Sequence, residues 1–369
     1  MRRTRRADGR TLDCAVVTTL RMDTDHTALQ ALQWAWPQLA DAGAAPRLFI
    51  GAQPLPPGAL TLSPQDCCVQ PYKPLADALQ AEGLRVLSEC AADAVAATAL
   101  VLVPRQRALA RVWLAQAVRA AAAGGGRVLA VAHNDAGGRT LAQDLSALAG
   151  PLQTLVKHHA RVVWTAPLTP AHAQGAALTA ALGADVMQRN EEGWWTRVGL
   201  FAWDRVDAGS RLLAELLPQD LHGRVADLGA GWGYLACMAL RRCPGITELH
   251  ACEADARALP ALQANLDAEP HAAVRRLHWL DATQPLPLAQ PCDAIVCNPP
   301  FHRARAADPG LGTAMLASAA RALATHGSLW LVANRHLPYE TVLRTHFARV
   351  AVVTEAEAYK VLHAQQPRA

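Results

Sequence analysis

The sequence predicts an α/β protein of two tandem domains, and three observations predict it. The chain has 369 residues, enough for two domains at roughly 100–200 residues each. Short apolar runs alternate with amphipathic stretches, the texture of parallel βαβ units. A pattern also recurs: "LVLVPRQ" (100–106) then "GRVLAVAHN" (126–134) parallels "AIVCNPP" (294–300) then "GSLWLVANR" (327–335). Each copy reads as a strand ending at proline, a helix, a glycine and an apolar strand. Such a repeat implies two domains of one fold. We divide the chain into 1–185 and 186–369, within a joining zone at 167–195.

In the first half, residues 14–20 read as a strand. Residues 26–40 follow as a helix with Leu29, Leu32 and Trp36 on one stripe. A strand at 47–52 leads into a loop dense in proline (Pro54, Pro56, Pro57, Pro64). The buried strand 99–103 stops at Pro104, and the helix 109–123 is closed by glycines 124–126 before a strand at 127–132. In the second half, strands are predicted at 224–228, 248–252, 293–297 and 328–333. The helices between them are predicted at 234–242, 256–266 and 311–324.

Composition excludes several classes. The chain is 51% hydrophobic and 18% charged, so it buries cores and is not disordered. Its net charge of +4 permits a nucleic-acid partner without demanding one. The longest uncharged stretch, 162–184, is broken by Pro167, Pro170, Gly175 and Gly183, so no membrane span is expected. Asp8, Arg10 and Asp13 interrupt any signal-peptide core. Nine cysteines without a C-x-x-C pair argue against disulfides or a zinc ribbon and for a reducing, cytoplasmic setting. His133, His158, His159 and His302 show no metal spacing, and no metal is expected.

The segment from Val225 to Tyr234 runs from an apolar strand through Asp227 into Gly229, Ala230, Gly231 and Gly233, then into a helix. Glycine permits the tight turn and lets a ligand approach bare backbone. Glu253 ends the next strand, where a carboxylate can accept hydrogen bonds from ribose hydroxyls. A dinucleotide fold wants G-x-G-x-x-G with room for a pyrophosphate. Here the spacing is G-x-G-x-G, and Asp227 would repel a pyrophosphate. Both features favour S-adenosylmethionine, whose methionine end is positively charged. Asp281, after the apolar run 277–280, is a candidate acceptor for the adenine amino group.

The sharpest motif is Asn298-Pro299-Pro300-Phe301, directly after an apolar strand. Ligands bind at that end of open α/β sheets. The two prolines stiffen the turn and fix two acceptors, the Asn298 side-chain oxygen and the Pro299 carbonyl. An exocyclic aromatic amine is a poor nucleophile because its lone pair is delocalised. Two acceptors on its N–H groups localise that pair and aim it, and Phe301 can stack on the base. The order Cys-Asn-Pro-Pro makes Cys297 a buried strand residue rather than a nucleophile.

These motifs resemble those of the bacterial ribosomal-RNA guanine-N2 methyltransferases, and among them the small-subunit methyltransferase C type. The likeness is carried by "VGLFAWDRVDAGSRLL" (198–213), "VADLGAGWGYLA" (225–236), "DAIVCNPPFH" (293–302), "LWLVANRHLPY" (329–339) and "AYKVLHA" (358–364). It is fainter over 101–109 and 125–145. The resemblance implies two tandem Rossmann-like methyltransferase domains. The first is degenerate; the second is a seven-stranded, S-adenosylmethionine-dependent catalytic fold. It implies methylation of a guanine amine in ribosomal RNA, naked or in the small subunit, by a monomeric cytoplasmic enzyme. Glu253 stands where an aspartate is frequent, and Trp232 is bulky for its loop. Two other readings stay open: amino methylation of another substrate, a 23S RNA guanine, DNA adenine or a protein glutamine, and a non-catalytic RNA-binding assembly factor. The first half, with no recognisable glycine loop near 13–30, is expected to bind no cofactor. Arg2, Arg3, Arg5, Arg6, Arg105, Arg107 and Arg111 are its candidate contacts to RNA phosphates.

Overall fold

Two seven-stranded sheets share one strand order. The computed structural model describes residues 24–39, 46–300, 302–303, 306–307 and 309–368. The strand expected at 14–20, the arginines at 2, 3, 5 and 6, and Phe301 lie outside the described residues. The first half contains α1 (Thr24–Ala35), β1 (Arg47–Ile50), β2 (Cys67–Val69), α2 (Lys73–Ala81), β3 (Arg85–Leu87) and β4 (Thr98–Leu102). It continues with α3 (Arg107–Ala123), β5 (Arg127–His133), α4 (Arg139–Ala149), β6 (Leu152–Lys157), β7 (Ala160–Thr165) and α5 (Ala176–Gly183). A hairpin of β8 (Met187–Arg189) and β9 (Trp195–Arg197) follows. The second half opens with α6 (Ala208–Leu216), β10 (His222–Leu228), α7 (Tyr234–Arg242), β11 (Gly245–Glu253), α8 (Leu259–Asp267), β12 (Val274–Trp279) and β13 (Cys292–Cys297). It closes with β14 (His302–Arg303), β15 (Ala306–Ala307), α9 (Pro309–Ala322), β16 (Leu323–Asn334), α10 (Tyr339–His346), β17 (Phe347–Ala356) and β18 (Tyr359–Pro367).

The sheet orders are β3-β2-β1-β4-β5-β7-β6 and β12-β11-β10-β13-β16-β18-β17. They match position for position. The repeat in the sequence is therefore a repeat of place: β4 and β13 lie at one position, β5 and β16 at the next. Both halves are Rossmann-like.

The expectation of parallel units needs one correction. β7 and β18 run antiparallel to both of their neighbours, so each sheet is mixed. The β6–β7 hairpin carries no turn signal in sequence, because His158 and His159 hold the left-handed conformation (φ 51° and 54°) that glycine or asparagine usually supplies. The β2–α2–β3 segment is also new. Strands of three residues are too short to show a period.

Layers form on both faces of each sheet. Along β10, Val225 feeds one core layer and Ala226 and Leu228 the other; along β13, Ala294 and Val296 oppose Ile295 and Cys297. Side chains alternate in a strand, so a strand covered on both faces reads as an unbroken apolar run. The halves meet through equivalent loops after β2 and β11. The Lys73 amide donates to the Ala254 carbonyl (2.8 Å) and the Ala256 amide to the Pro71 carbonyl (3.0 Å). Arg197 adds an ion pair at 2.8 Å to Asp185 and another at 2.5 Å to Glu89. Among the described residues no helix is long and apolar enough to cross a membrane.

Candidate active site

The glycine segment forms a turn at the C-terminal end of β10. Gly229, Gly231 and Gly233 all have positive φ (74°, 55° and 99°), a conformation costly for residues with a Cβ. The amides of Gly229 and Ala230 donate to the Cys252 carbonyl (2.9 and 3.0 Å), tying the turn to β11. A Cβ on Gly233 would lie 2.7 Å from Leu262, so that glycine lets α7 pack on α8. A Cβ on Gly231 would meet nothing within 4 Å, so this glycine faces open space.

Glu253 clasps the turn from the side. Its Oε2 accepts the Gly231 amide (2.7 Å), and Oε1 accepts those of Ala254 and Asp255 (2.7 Å each). A carboxylate has about four acceptor positions, so one remains open on Oε2. Burial pushes the Glu253 carboxyl up against the pull of those amides. The Leu280 amide donates to the Glu253 carbonyl (3.0 Å), which brings Asp281 to the neighbouring strand end. Asp281 Oδ1 accepts the Thr283 amide (2.9 Å) and hydroxyl (2.7 Å).

Asp227 is fully buried beneath the turn; the Ala236 amide lies near its carboxyl, but neither oxygen has a hydrogen-bond partner of ordinary geometry among the described residues. Burial raises its carboxyl to about 7; the Ala236 amide opposes the rise and Glu253 adds to it. A buried carboxylate without a partner is costly, and in its ionised form it puts negative charge beneath the turn.

Asn298 follows β13. Its Nδ2 donates to Asp207 Oδ2 (2.9 Å) and Ser210 Oγ (2.7 Å). Asp207 is the N-cap of α6 and also accepts the Ser210 amide (2.8 Å). Because the carboxylate only accepts, the carboxamide must turn its NH2 toward it. Its Oδ1 is then left buried and without a partner among the described residues. Pro299 is buried and Pro300 exposed. Asp207 and Ser210 were missed as site residues; the one local signal was the D-x-x-S capping pattern inside 198–213.

Asn298, Asp207, Ser210, Gly229 and Gly231 line one small cleft, open to solvent, together with Phe201 and Trp232. A larger cleft, roughly 220 Å³, is lined by Trp113, Arg119, Arg197 and Arg257. The motifs converge on the smaller one. Cys297 is buried and its thiol is pushed well up by burial, as befits a strand residue. Arg107 and Arg111, foreseen as phosphate contacts, both bind the buried Asp144 at 2.9–3.0 Å. No group of His, Cys, Asp and Glu among the described residues is arranged to hold a metal ion.

A family model for the methyltransferase small domain matches residues 193–363. The match takes in the glycine turn, Glu253 and Asn298. Among curated relatives, the ribosomal RNA small subunit methyltransferase C of Shewanella halifaxensis is 35% identical over 167 residues, 44% of this chain and 46% of that protein. Its namesake in Acinetobacter baylyi is 33% identical, covering 45% and 49%. The ribosomal RNA large subunit methyltransferase G of Shewanella oneidensis is 32% identical, covering 45% and 44%. The alignments span about half the length of these relatives. The resemblance drawn from the motifs is thus borne out by the family model and by the names of these relatives. A solved structure, the T. thermophilus 16S rRNA N2 methyltransferase in complex with AdoMet and guanosine, covers 94% of this chain and 92% of its own. Its TM-score is 0.76 at 24% identity, so the two-sheet fold of the whole chain is shared with it.

Proposed function

We propose that this protein transfers a methyl group from S-adenosylmethionine to the N2 amine of a guanine in ribosomal RNA, that of the small subunit. The observation that carries the proposal is Asn298: a carboxamide locked by Asp207 and Ser210, with its oxygen unpartnered beside the glycine turn. The residues fit the cofactor. The open side of Gly231 leaves it room, the last position on Glu253 suits a ribose hydroxyl, and Asp281 suits the adenine amine. Gly229, Ala230 and Gly233 shape the turn, and Asp227 lends negative charge from beneath it. When bound, S-adenosylmethionine supplies a methyl group activated by a cationic sulfur. Asn298 Oδ1 and the Pro299 carbonyl hold the two N–H groups of the amine. Pro300 keeps that turn stiff, and Phe301 stacks on the base. No strong base is needed, since the amine sheds its proton to water after it has become cationic.

The names of the relatives support an RNA substrate. The large-subunit relative supports a second reading, a guanine in 23S RNA. In this reading of the chain, residues 186–369 act on the base while 1–185 brace them and grip RNA, in one cytoplasmic monomer. The test incubates the full chain with labelled S-adenosylmethionine and, separately, 16S RNA, 23S RNA, small subunits, genomic DNA and a cell protein extract. The digested RNA is then searched by mass spectrometry. N2-methylguanosine in 16S RNA or the subunit is the expected result. Its appearance in 23S RNA alone selects the second reading, and label only in DNA or protein overturns both.

A further inference from the structure

Phe201 is the most exposed large apolar side chain among the described residues, at 66%. Nothing about it is loose. Its carbonyl accepts the Trp232 indole N–H (3.1 Å), which ties it to the glycine turn. Trp232 is itself buried against Trp194 and Tyr234. The next residue, Ala202, holds φ 48°, a strained conformation for a residue with a Cβ. On the other side Leu200 is buried, and a Cβ on Gly199 would lie 2.9 Å from Arg257 Nη1. The backbone is thus fixed on both sides so that one aromatic ring stands in solvent. Residues held in such strained conformations cluster at active sites and ligand clamps.

The ring lines the same cleft as Asn298, Asp207 and Ser210, where the unpartnered oxygen lies. Glu253 and Asp281, at the far end of the turn, do not line that cleft. The cleft also takes in Gly229, Ala230 and Gly231, so Phe201 stands at the end of the turn nearest Asn298, where an acceptor would meet the cofactor. A base drawn out of an RNA stack loses its stacking partners, and a fixed aromatic face replaces them without a sequence requirement. From this placement we propose that Phe201 is a stacking platform for the extruded nucleobase of the acceptor strand. The inference rests on the RNA-methylating reading above.

The test compares the full chain with F201A, F201L and F201W. Single-turnover methyl transfer is measured against the concentration of the RNA that the unsubstituted protein modifies, and S-adenosylmethionine affinity is measured by calorimetry. F201A and F201L should raise the half-saturating RNA concentration about ten-fold or more. F201W should restore it to within about three-fold, and cofactor affinity should stay within about two-fold throughout. An unchanged RNA requirement in F201A overturns the platform. So does full rescue by leucine, which packs but does not stack, or a cofactor affinity that falls while the RNA requirement stays. Failure of the underlying reading is seen separately, because the unsubstituted protein then methylates no guanine; the platform falls with it.

Discussion

The two halves contain the same turn, and only one has kept what surrounds it. Gly51 follows β1 as Gly229 follows β10, at φ 71° and 74°. The Gly51 and Ala52 amides donate to the Val69 carbonyl (2.9 and 3.2 Å) as those of Gly229 and Ala230 donate to Cys252. Gln70 stands where Glu253 stands, and its Oε1 accepts the Tyr72 amide (2.9 Å) as Glu253 accepts that of Asp255. The erosion therefore lies at 51–53, not near 13–30 as the sequence suggested.

The differences are all in what a ligand would need. A Cβ on Gly51 would lie 2.5 Å from the Trp113 ring, whereas one on its counterpart Gly229 would meet nothing nearer than Met315 at 3.4 Å, and Gly231 faces open space. No helix begins after Gly51, so no N-terminal amides are offered. Aligned on the two glycines, Phe49 occupies the place of Asp227 and Leu102 that of Asn298. Phe49 is fully buried in an apolar layer. The fold is thus content with an apolar residue where the second half buries an unpartnered carboxylate. The first glycine belongs to the architecture, and the charge, the space and the carboxamide belong to chemistry.

Copying the first half into the second breaks this comparison in measurable steps. The largest effect is expected from Asn298→Leu, which installs the Leu102 counterpart. It should lower single-turnover methyl transfer about 100-fold or more, since a positioned polar group at the reacting centre is lost. Cofactor affinity should change by less than about three-fold. A rate near that of the unsubstituted protein would detach Asn298 from the reaction.

The next effect is in pH. Asp227 titrates near 7 because it is buried. Its ionised form favours a cationic ligand, so S-adenosylmethionine affinity should fall as pH drops below 7, by at most about ten-fold per unit. Binding near pH 6 should release protons, visible as a buffer-dependent calorimetric heat. Asp227→Asn should flatten the profile; a profile unaltered in that variant assigns the titration elsewhere. The stability sign is opposite. A carboxyl raised above its ordinary value of about 3.9 contributes stability present below that value and lost as pH rises to 7.

The smallest effect separates the glycines themselves. Gly51→Ala adds a clash with Trp113 and the Leu102 carbonyl to the cost of positive φ. It should lower Tm by about 5 °C or more. Gly231→Ala meets open space and should lower it by less than about 4 °C. Equal shifts would mean that Trp113 yields, and the vestigial turn would be softer than its packing implies.

Much of the second half was legible locally. The α7 helix matches its predicted range at both ends, because the glycine turn before it and the arginines at its end are adjacent in sequence. The strands at 224–228 and 293–297 were legible because burial on both faces leaves unbroken apolar runs. The short strands β2 and β3 and the β6–β7 hairpin were not. Three residues show no period, and two histidines at positive φ give no turn signal.

The sequence by itself determined what is encoded between neighbours: alternating strands and helices, the repeat, the glycine turn and the stiff Asn-Pro-Pro corner. Backbone dihedral limits and side-chain periodicity act over a few residues, so they can be read in order. Only the tertiary structure decided what depends on distant partners. Asp207 and Ser210 reach Asn298 across 91 and 88 positions and leave its oxygen as the free acceptor. Trp113 closes the first half's turn, Asp144 occupies Arg107 and Arg111, and the loop at Phe201 is pinned to Trp232. These pairings follow from how the sheets stack their layers, and no local pattern records which side chains that stacking brings together.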